Sequence, residues 1–500
     1  MKKKQSVLLT GASGSMGLET FRILFDKRDE FDLVLLLRPS RRNKKLFYPY
    51  EKAANARALS ESRVTKGDGL KIIWGDAESE EDLRNACRGI DWCISTMGVI
   101  PPEADRCPER AYRVNCSAVR NLVKAVEDED PDRIKFIHIG TLAEYGDRLP
   151  PIHKARTGDP LLPSLYDMYS VSKIMGEAAV MESRIDKWVS LRQTFIMIPD
   201  LFSLMDPIMF HQPINSYMEN ITARDSGRAM VKCLEMDERD DFWRKCFNLS
   251  GGPECSATYY EFLQRVYEML SMDLRNVMDR NWFALKNFHM VFFEDSWKLN
   301  EFLNHWEGGA TMEDYYSEVW KAFPRFLKTT AFLNKKSALF RKIVEKSTKL
   351  QLKLLAARKR DGTLGWIKTR DHDRVNAFYG SYEAFEKIPG WNEKMPDLDH
   401  DIPFTRLQHG YDESKVDLDL DDLREAARFR GGEMLSETWD RDMSSRVKWR
   451  CAFGHEFEMK PNTVLNGGHW CLDCLGPPWR YDELTEKSEF FAQVRNARKP

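Results

Sequence analysis

Tyr169 and Lys173 stand four residues apart in Tyr169-Ser-Val-Ser-Lys173, a spacing that puts a phenol and an ammonium on one face of a helix. A phenol so placed can give or take a proton at a substrate oxygen, and a nearby ammonium lowers its pKa from about 10. Near the start of the chain, Ser6-Val-Leu-Leu-Thr10-Gly11-Ala-Ser13-Gly14-Ser15-Met16-Gly17 joins an apolar strand, three glycines spaced three apart and a helix start. Gly11 suits a tight turn, Gly14 lets the backbone approach an anion and Gly17 lets the helix pack on the strand. The free N–H groups at the helix N-terminus then face a pyrophosphate.

Towards the other end, Cys451-Ala-Phe-Gly-His455 and Cys471-Leu-Asp-Cys474 offer two pairs of metal ligands separated by an Asn466-Gly-Gly468 turn. Tetrahedral zinc fits this set. Four protein ligands leave no position for water, so the expected metal is structural rather than catalytic. His469 is an alternative ligand made awkward by its closeness to Cys471, and free cysteines with a chance histidine are the bland alternative. Trp449 and Trp470 flank the pairs as a small aromatic core.

The elements that must position these groups follow from the hydrophobic pattern. From residue 6 to about 200, Leu33-Val-Leu-Leu-Leu37, Lys71-Ile-Ile-Trp74, Trp92-Cys-Ile-Ser95 and Lys135-Phe-Ile-His-Ile139 alternate with helical stretches. That pattern predicts an α/β fold with a doubly wound parallel sheet. Prolines crowd 149–163, expected to form a loop over the active site. Residues 201–327, rich in Phe, Met, Tyr and Trp, suit a small, largely helical substrate-capping region. Residues 328–360 carry eleven Lys or Arg against the single acid Glu345, with Leu333, Phe340, Ile343, Val344, Leu350, Leu354 and Leu355 roughly on one helical stripe. The favoured expectation is one amphipathic helix docked on the enzyme with its basic face in water; contact with a membrane surface or an acidic partner is the alternative. Residues 361–440 hold Trp366, Trp391 and the acidic Asp417-Leu-Asp-Leu-Asp-Asp422 and have no assigned role, and 441–485 hold the metal module.

These landmarks resemble, in order, those of the short-chain dehydrogenase/reductase superfamily in its extended, NAD-dependent epimerase/dehydratase-like branch, over about the first two thirds of the chain. The C-terminal cluster resembles a treble-clef or zinc-ribbon module. The resemblance implies a Rossmann-type NAD(P)-binding domain over 1–200, with Thr10 and the Gly11, Ser13, Gly14, Ser15, Met16, Gly17 loop on the cofactor. It implies that Asp76 and Ala77, after Trp74-Gly75, meet the adenine, and that Thr96, Met97 and Gly98 lie beside the nicotinamide ribose. Asn115 resembles the family's helix-borne asparagine, Thr141 in Ile139-Gly-Thr-Leu-Ala-Glu-Tyr-Gly146 the catalytic hydroxyl, and Leu191-Arg192 to Pro199, Ile221-Thr-Ala-Arg-Asp225 and Phe247-Asn-Leu-Ser-Gly-Gly the later segments, with Pro199 on the cofactor. Tyr169 and Lys173 would complete both the catalytic and the cofactor set, Lys173 reaching the ribose hydroxyls. A homodimer through the helices that carry Asn115 and Tyr169 is also implied.

Where relatives that prefer NAD commonly carry an acid at the end of the second strand, this chain has Arg38-Pro-Ser40-Arg41-Arg42-Asn-Lys44-Lys45. Arg38 can hold a 2′-phosphate and Ser40 can donate to it, so NADP is expected over NAD. A solvated basic loop is the bland alternative, and Asp32, read as lying before the strand, is poorly placed to act as the missing acid.

The implied chemistry is hydride transfer to or from a carbonyl or alcohol, with Tyr169 as general acid/base. Sugar-nucleotide 4,6-dehydratases of this branch carry an acid directly after the catalytic Thr; here Leu142 stands there, which argues against dehydration. The segment Ile198 to His211 is mainly apolar, which tilts the expectation to net redox on a moderately hydrophobic small molecule. Epimerisation of a sugar nucleotide through a transient keto intermediate is the alternative. A cofactor-sensing binding protein is the alternative of another class, opposed by the retained Thr141, Tyr169 and Lys173. His211 and Tyr145 are candidates for substrate contact and equally for packing.

The 500 residues suggest about three domains, and the net charge of −2 gives no global attraction to nucleic acid. Seven of the ten cysteines are scattered through the first 255 residues, the usage of buried thiols rather than of a disulfide framework. Met-Lys-Lys-Lys-Gln-Ser runs directly into the first strand, and no apolar run reaches about 18 residues. A cytoplasmic location is the expectation.

Overall fold

The computed structural model describes residues 4–59, 62–201 and 205–497. Nine strands form its main sheet: β1 Gln5–Thr10, β2 Phe31–Leu37, β3 Arg57–Ala58, β4 Val64–Gly67, β5 Leu70–Trp74, β6 Trp92–Ser95, β7 Lys135–Thr141, β8 Trp188–Gln193 and β9 Lys245–Leu249. Their order is β9-β8-β7-β6-β1-β2-β5-β4-β3. The seven strands from β9 to β5 are mutually parallel, and β4 and β3 add an antiparallel edge.

The period-two alternation explains the two covered faces. Val7, Leu9, Leu33, Leu35 and Leu37 pack into one layer with Phe21, Leu24 and Phe25, while Leu8, Val34 and Leu36 pack into the opposite layer with Val119, Leu122 and Val126. Strands apolar on both sides need helices on both sides, the requirement that produces a doubly wound sheet. The strand order reverses between β1 and β6, and ligands of such sheets bind in the crevice at the carboxyl ends of those strands.

The basic stretch after β2 is a helix start rather than a loop: Ser40 caps the helix Arg41–Ala53 by accepting from the Asn43 N–H at 3.1 Å. Asp32 lies inside β2, at its exposed start, not before the strand. Strand β9 comes from the expected capping region 201–327, which also contributes Tyr217–Thr222 and Ser256–Thr258 to a small sheet completed by Phe195–Met197.

The proline-rich stretch 149–163 is clamped from the C-terminal side instead of standing free over the site. Arg156 pairs with Glu413 and donates to the Leu407 carbonyl at 2.8 Å, and His409 meets Asp159 at 2.9 Å. Residues 390–410 continue as a belt around the core, with Tyr217 donating to the Asp397 carbonyl and the Thr405 N–H to the Pro151 carbonyl.

The expected single basic helix is two, Arg325–Lys336 and Ala338–Ala356, separated at Ser337, whose hydroxyl caps the second by accepting from the Phe340 N–H. The inner face of the second helix is fixed by buried Leu352 and Ala356 and by Glu345, which accepts from Asn276 Nδ2 at 3.2 Å. The C-terminal module is a three-stranded antiparallel sheet of Glu433–Met434, Val447–Arg450 and Glu456–Met459, with Trp449 and Trp470 packed edge to face at 5.6 Å.

Candidate active site

At the switch point, the Gly11 φ of +77° is a backbone conformation that L side chains rarely adopt, and a Cβ there would lie 2.6 Å from the Met97 nitrogen. At Gly17 a Cβ would meet the Gly11 carbonyl oxygen at 2.3 Å, so only glycine lets the helix Ser15–Asp26 pack this closely on β1. A Cβ on Gly14 would have only the Gly11 oxygen near it, at 3.4 Å. The helix that follows has no side-chain cap and no acid in its first turn. An open glycine cradle in front of uncapped N–H groups fits a dinucleotide diphosphate.

Thr96 Oγ1 donates to the Thr10 carbonyl at 2.8 Å and ties the ends of β1 and β6 together. Ser13, Gly14 and Ser15 reach the surface of the cradle, while Met16 and Met97 are buried beneath it. Asp76 is exposed past β5, where its carboxylate accepts from the Glu78 N–H, and Ala77 packs partly into the core. Arg38 is exposed at the end of β2. Gly98 neighbours Asn115, and Pro199 is half-buried beyond Phe195–Met197. Residues 202–204 of the segment Ile198 to His211 lie outside the described residues.

Asn115 is bonded within the protein on both ends of its amide. Its Oδ1 accepts from the Val99 N–H at 2.8 Å, and its Nδ2 donates to the Val99 carbonyl at 2.9 Å and to Ser172 Oγ at 3.0 Å. Fully buried, it spends its amide on clasping the loop after β6 to the helix Met168–Met181.

That helix carries Tyr169 and Lys173, and β7 ends on Thr141. The Tyr169 phenol interacts with the Thr141 hydroxyl, and its ring packs against Val99, Ala104 and Ala111. Burial pushes the phenol above its ordinary range despite that bond. The expected depression by Lys173 is absent here because the ammonium is turned to the Ile139 carbonyl, and burial lowers its own pKa. Thr141 is fixed by the turn after it: its hydroxyl accepts from the Ala143 N–H at 3.3 Å, and Glu144 accepts from the Thr141 N–H at 2.9 Å.

Behind these groups lies a buried ionic cluster that no short motif announces. Arg192 pairs with Glu177 at 2.6 Å, lies 3.3 Å from Glu144, and donates to the Tyr145 hydroxyl at 3.0 Å. Burial alone would raise Glu177, but Arg192 and His469 outweigh it and hold the carboxylate well below its usual range. Glu144 goes the other way, raised by burial and by the Glu177 charge. Tyr145 is therefore a packing residue, bonded to Arg192 and Asn248.

An open cleft lies beside Asp167, two residues before Tyr169. Asp105, Arg106, Arg360, Arg374, His211 and His289 line it together with apolar Leu165, Ile208, Phe288 and Phe378, so charged groups and apolar surface share the cleft. His211 lines it with Nε2 against the Asp361 carbonyl at 2.7 Å. Although more than a third of Asp105 is exposed, burial of its carboxyl in the cleft and the neighbouring Asp167 push its pKa up to about 7.

In the C-terminal module, the ligand atoms of Cys451, His455, Cys471 and Cys474 lie within 4.8 Å of one another. The Cys451–Cys474 sulfurs are 3.7 Å apart and His455 Nδ1 is 3.4–3.5 Å from three sulfurs. Tetrahedral zinc with Zn–S of about 2.3 Å and Zn–N of about 2.0 Å requires separations of roughly 3.8 and 3.5 Å, so the set fits that metal. His469 is not a fifth member: it turns away, wholly buried, onto Glu177. Val171 and Met181 of the Tyr169 helix contact Gly476 and Gly467 of this module, so part of the helix invoked for a dimer is met within the chain itself.

Residues 7–206 match the model of the NAD dependent epimerase/dehydratase family. That segment is an epimerase/dehydratase-family domain. No curated protein matches the chain. Among solved structures, a UDP-glucose 4-epimerase from Bifidobacterium longum, in complex with NAD+ and UDP, is 16% identical over 63% of this chain and 97% of its own, with a TM-score of 0.45. A dTDP-glucose 4,6-dehydratase from Bacillus anthracis, in complex with NAD, is 14% identical over 67% and 98%, with a TM-score of 0.47. A putative epimerase from Burkholderia cenocepacia is 15% identical over 65% and 99%, with a TM-score of 0.46. Among the described residues no helix is long and apolar enough to cross a membrane.

Proposed function

We propose that the chain is an NAD(P)-dependent oxidoreductase acting on the carbonyl or alcohol of a small molecule. The observation that carries this reading is the meeting of Thr141 and Tyr169 beside the carboxyl ends of β7 and β6, with Lys173 one turn further along the same helix. A binding protein needs the glycine cradle but not a phenol held against a hydroxyl. When bound, the nicotinamide supplies or accepts the hydride. Thr141 orients the substrate oxygen, and Tyr169 gives or takes the proton there. Lys173 is held at the Ile139 carbonyl in this structure; turned towards the site, its ammonium would favour the phenolate. Glu177, Arg192 and Glu144 hold the Thr141 turn without touching substrate.

NADP is the cofactor favoured by Arg38, which is exposed at the end of β2, where a 2′-phosphate would lie. Zinc at Cys451, His455, Cys471 and Cys474 would be structural, since all four positions of a tetrahedral ion are taken by the chain. A second reading, epimerisation of an anionic sugar derivative, is favoured by Arg106, Arg360 and Arg374 around the cleft. The deciding experiment is mass spectrometry of nucleotide carried through purification, followed by NADPH titration and a carbonyl screen. An empty site that binds NADPH and turns over a carbonyl supports the oxidoreductase. Tightly retained NAD with no net redox supports the epimerase.

A further inference from the structure

The helices Arg325–Lys336 and Ala338–Ala356 have two apolar faces, and only one of them is used. Leu352, Ala356 and Glu345 turn inward, while Phe326, Phe332, Leu339, Ile343, Leu350 and Leu354 stand between 60% and 71% exposed. Leu339, Ile343, Leu350 and Leu354 recur at helical spacing along about 22 Å of one helix. Single exposed leucines are ordinary on a protein surface; a row of them on consecutive helices is not.

The charge along that row is predominantly positive, with Lys349 met by Asp279 at 2.5 Å. Between residues 325 and 360 twelve Lys or Arg face a single acid, and that acid, Glu345, is buried against Asn276. We infer that these two helices form a docking face for an anionic lipid bilayer, with the apolar row in the acyl boundary and the lysines and arginines at the headgroups. An exposed apolar row flanked by flexible cations is the composition of helices that lie in a membrane interface, where the long stems of lysine bury as the ammonium reaches outward.

A second copy of the chain fits the face poorly. Continuing the apolar spacing through the helix puts Lys346 and Lys353 into the seam, where two copies would oppose like charges. An acidic groove on a protein accepts one helix, whereas the exposed apolar groups span both helices and extend to Trp320 on the preceding one. The second helix also leads, four residues after Ala356, into Arg360 and Asp361 of the cleft, so docking brings the cleft to the edge of the bilayer.

Co-sedimentation of the full chain with phosphatidylcholine vesicles, with and without phosphatidylserine, tests the inference. The expected result is binding to the anionic vesicles only, weakened by salt, and weakened at least about tenfold both by Ile343→Asp with Leu350→Asp and by Lys342→Glu with Lys346→Glu. These side chains are exposed, and an unchanged melting temperature and NADPH affinity establish that the variants fold. Three results overturn it: no binding to anionic vesicles at low salt, binding that neither variant weakens, or sedimentation velocity showing a dimer that Leu350→Asp dissociates while vesicles are ignored.

Discussion

His469 Nε2 lies 2.9 Å from Glu177 Oε2, and neither side chain reaches solvent. The contact joins the metal module to the helix that carries Tyr169 across 292 residues of sequence. Next to it Arg192 Nη2 donates to the Gly467 carbonyl at 2.6 Å, so the loop between the two ligand pairs is fastened to the core twice. The C-terminal module therefore completes the ionic cluster behind the candidate active site.

Replacing His469 by Ala leaves Glu177 buried with Arg192 as its main partner, which should lower unfolding free energy by about 1–3 kcal/mol. Arg192→Met strips the carboxylate of its countercharge and should cost more, about 3–5 kcal/mol. Urea denaturation of both variants checks the order. Equal losses would refute the role assigned to Arg192 as the principal partner.

The buried imidazoles set an acid limit. Burial pushes His138 down from 6.5 to about 3, and His211 and His305 to about 4. The unfolded chain takes up protons below pH 6.5 that these groups refuse in the fold. Their contribution is thus present above pH 6.5 and lost as pH falls towards 4, by about 1.4 kcal/mol per pH unit per histidine. Urea midpoints at pH 7, 6 and 5 should fall accordingly, and His305→Gln should reduce the slope by about one proton. A slope untouched by that substitution would exclude His305 as a contributor.

Cys471→Ser removes one of four ligands that lie at tetrahedral spacing, and elemental analysis should show zinc falling from one per chain to a small fraction. Because His469 and Gly467 sit on the same loop, limited proteolysis should then open the C-terminal module first and the melting temperature should fall. Unchanged metal content would refute the site.

Much of this was legible from residue types alone, for a physical reason. Gly11, Gly17, Thr141, Tyr169 and Lys173 sit at strand ends and helix starts, where local spacing determines what each can face. The four metal ligands were legible for the same reason, being two short-range pairs. The Glu177–Arg192–His469 cluster was not, since its members are ordinary residues brought together only by tertiary contact. The basic helices show the other limit: the residues read as one apolar stripe over 328–360 include Ile343, Leu350 and Leu354, which are exposed, and only the packing of Glu345, Leu352 and Ala356 tells which side is inside. The charged part of the cleft was hidden likewise, because Arg360 and Arg374 reach it from far beyond the segment Ile198 to His211.

Arg38→Asp should reverse cofactor preference. Loss of a guanidinium from the end of β2 removes the charge-assisted bond to a 2′-phosphate and adds repulsion, worth at least about tenfold in the NADPH/NADH affinity ratio. Fluorescence titration with both nucleotides reads that ratio directly. No change would place the phosphate on other groups, Arg41 or Arg42 at the start of the next helix being the nearest in sequence.

Tyr169→Phe is the sharpest test of the chemistry. The ring packs among Val99, Ala104 and Ala111, so phenylalanine keeps the packing and removes only the hydroxyl. Turnover should fall by about 10²–10⁴-fold, the usual worth of a positioned proton donor, while NADPH affinity stays within a few-fold. Since burial holds the phenol high in the unliganded protein, activity of the parent enzyme should rise with pH in the oxidative direction, where the phenolate is needed. Lys173→Met should move that rise to higher pH if the ammonium turns from the Ile139 carbonyl to the site during turnover, and leave it unmoved if it stays there. Retained turnover in Tyr169→Phe would transfer the proton step to another group, and Asp105, held at about 7 on the cleft wall, would be the one to mutate next.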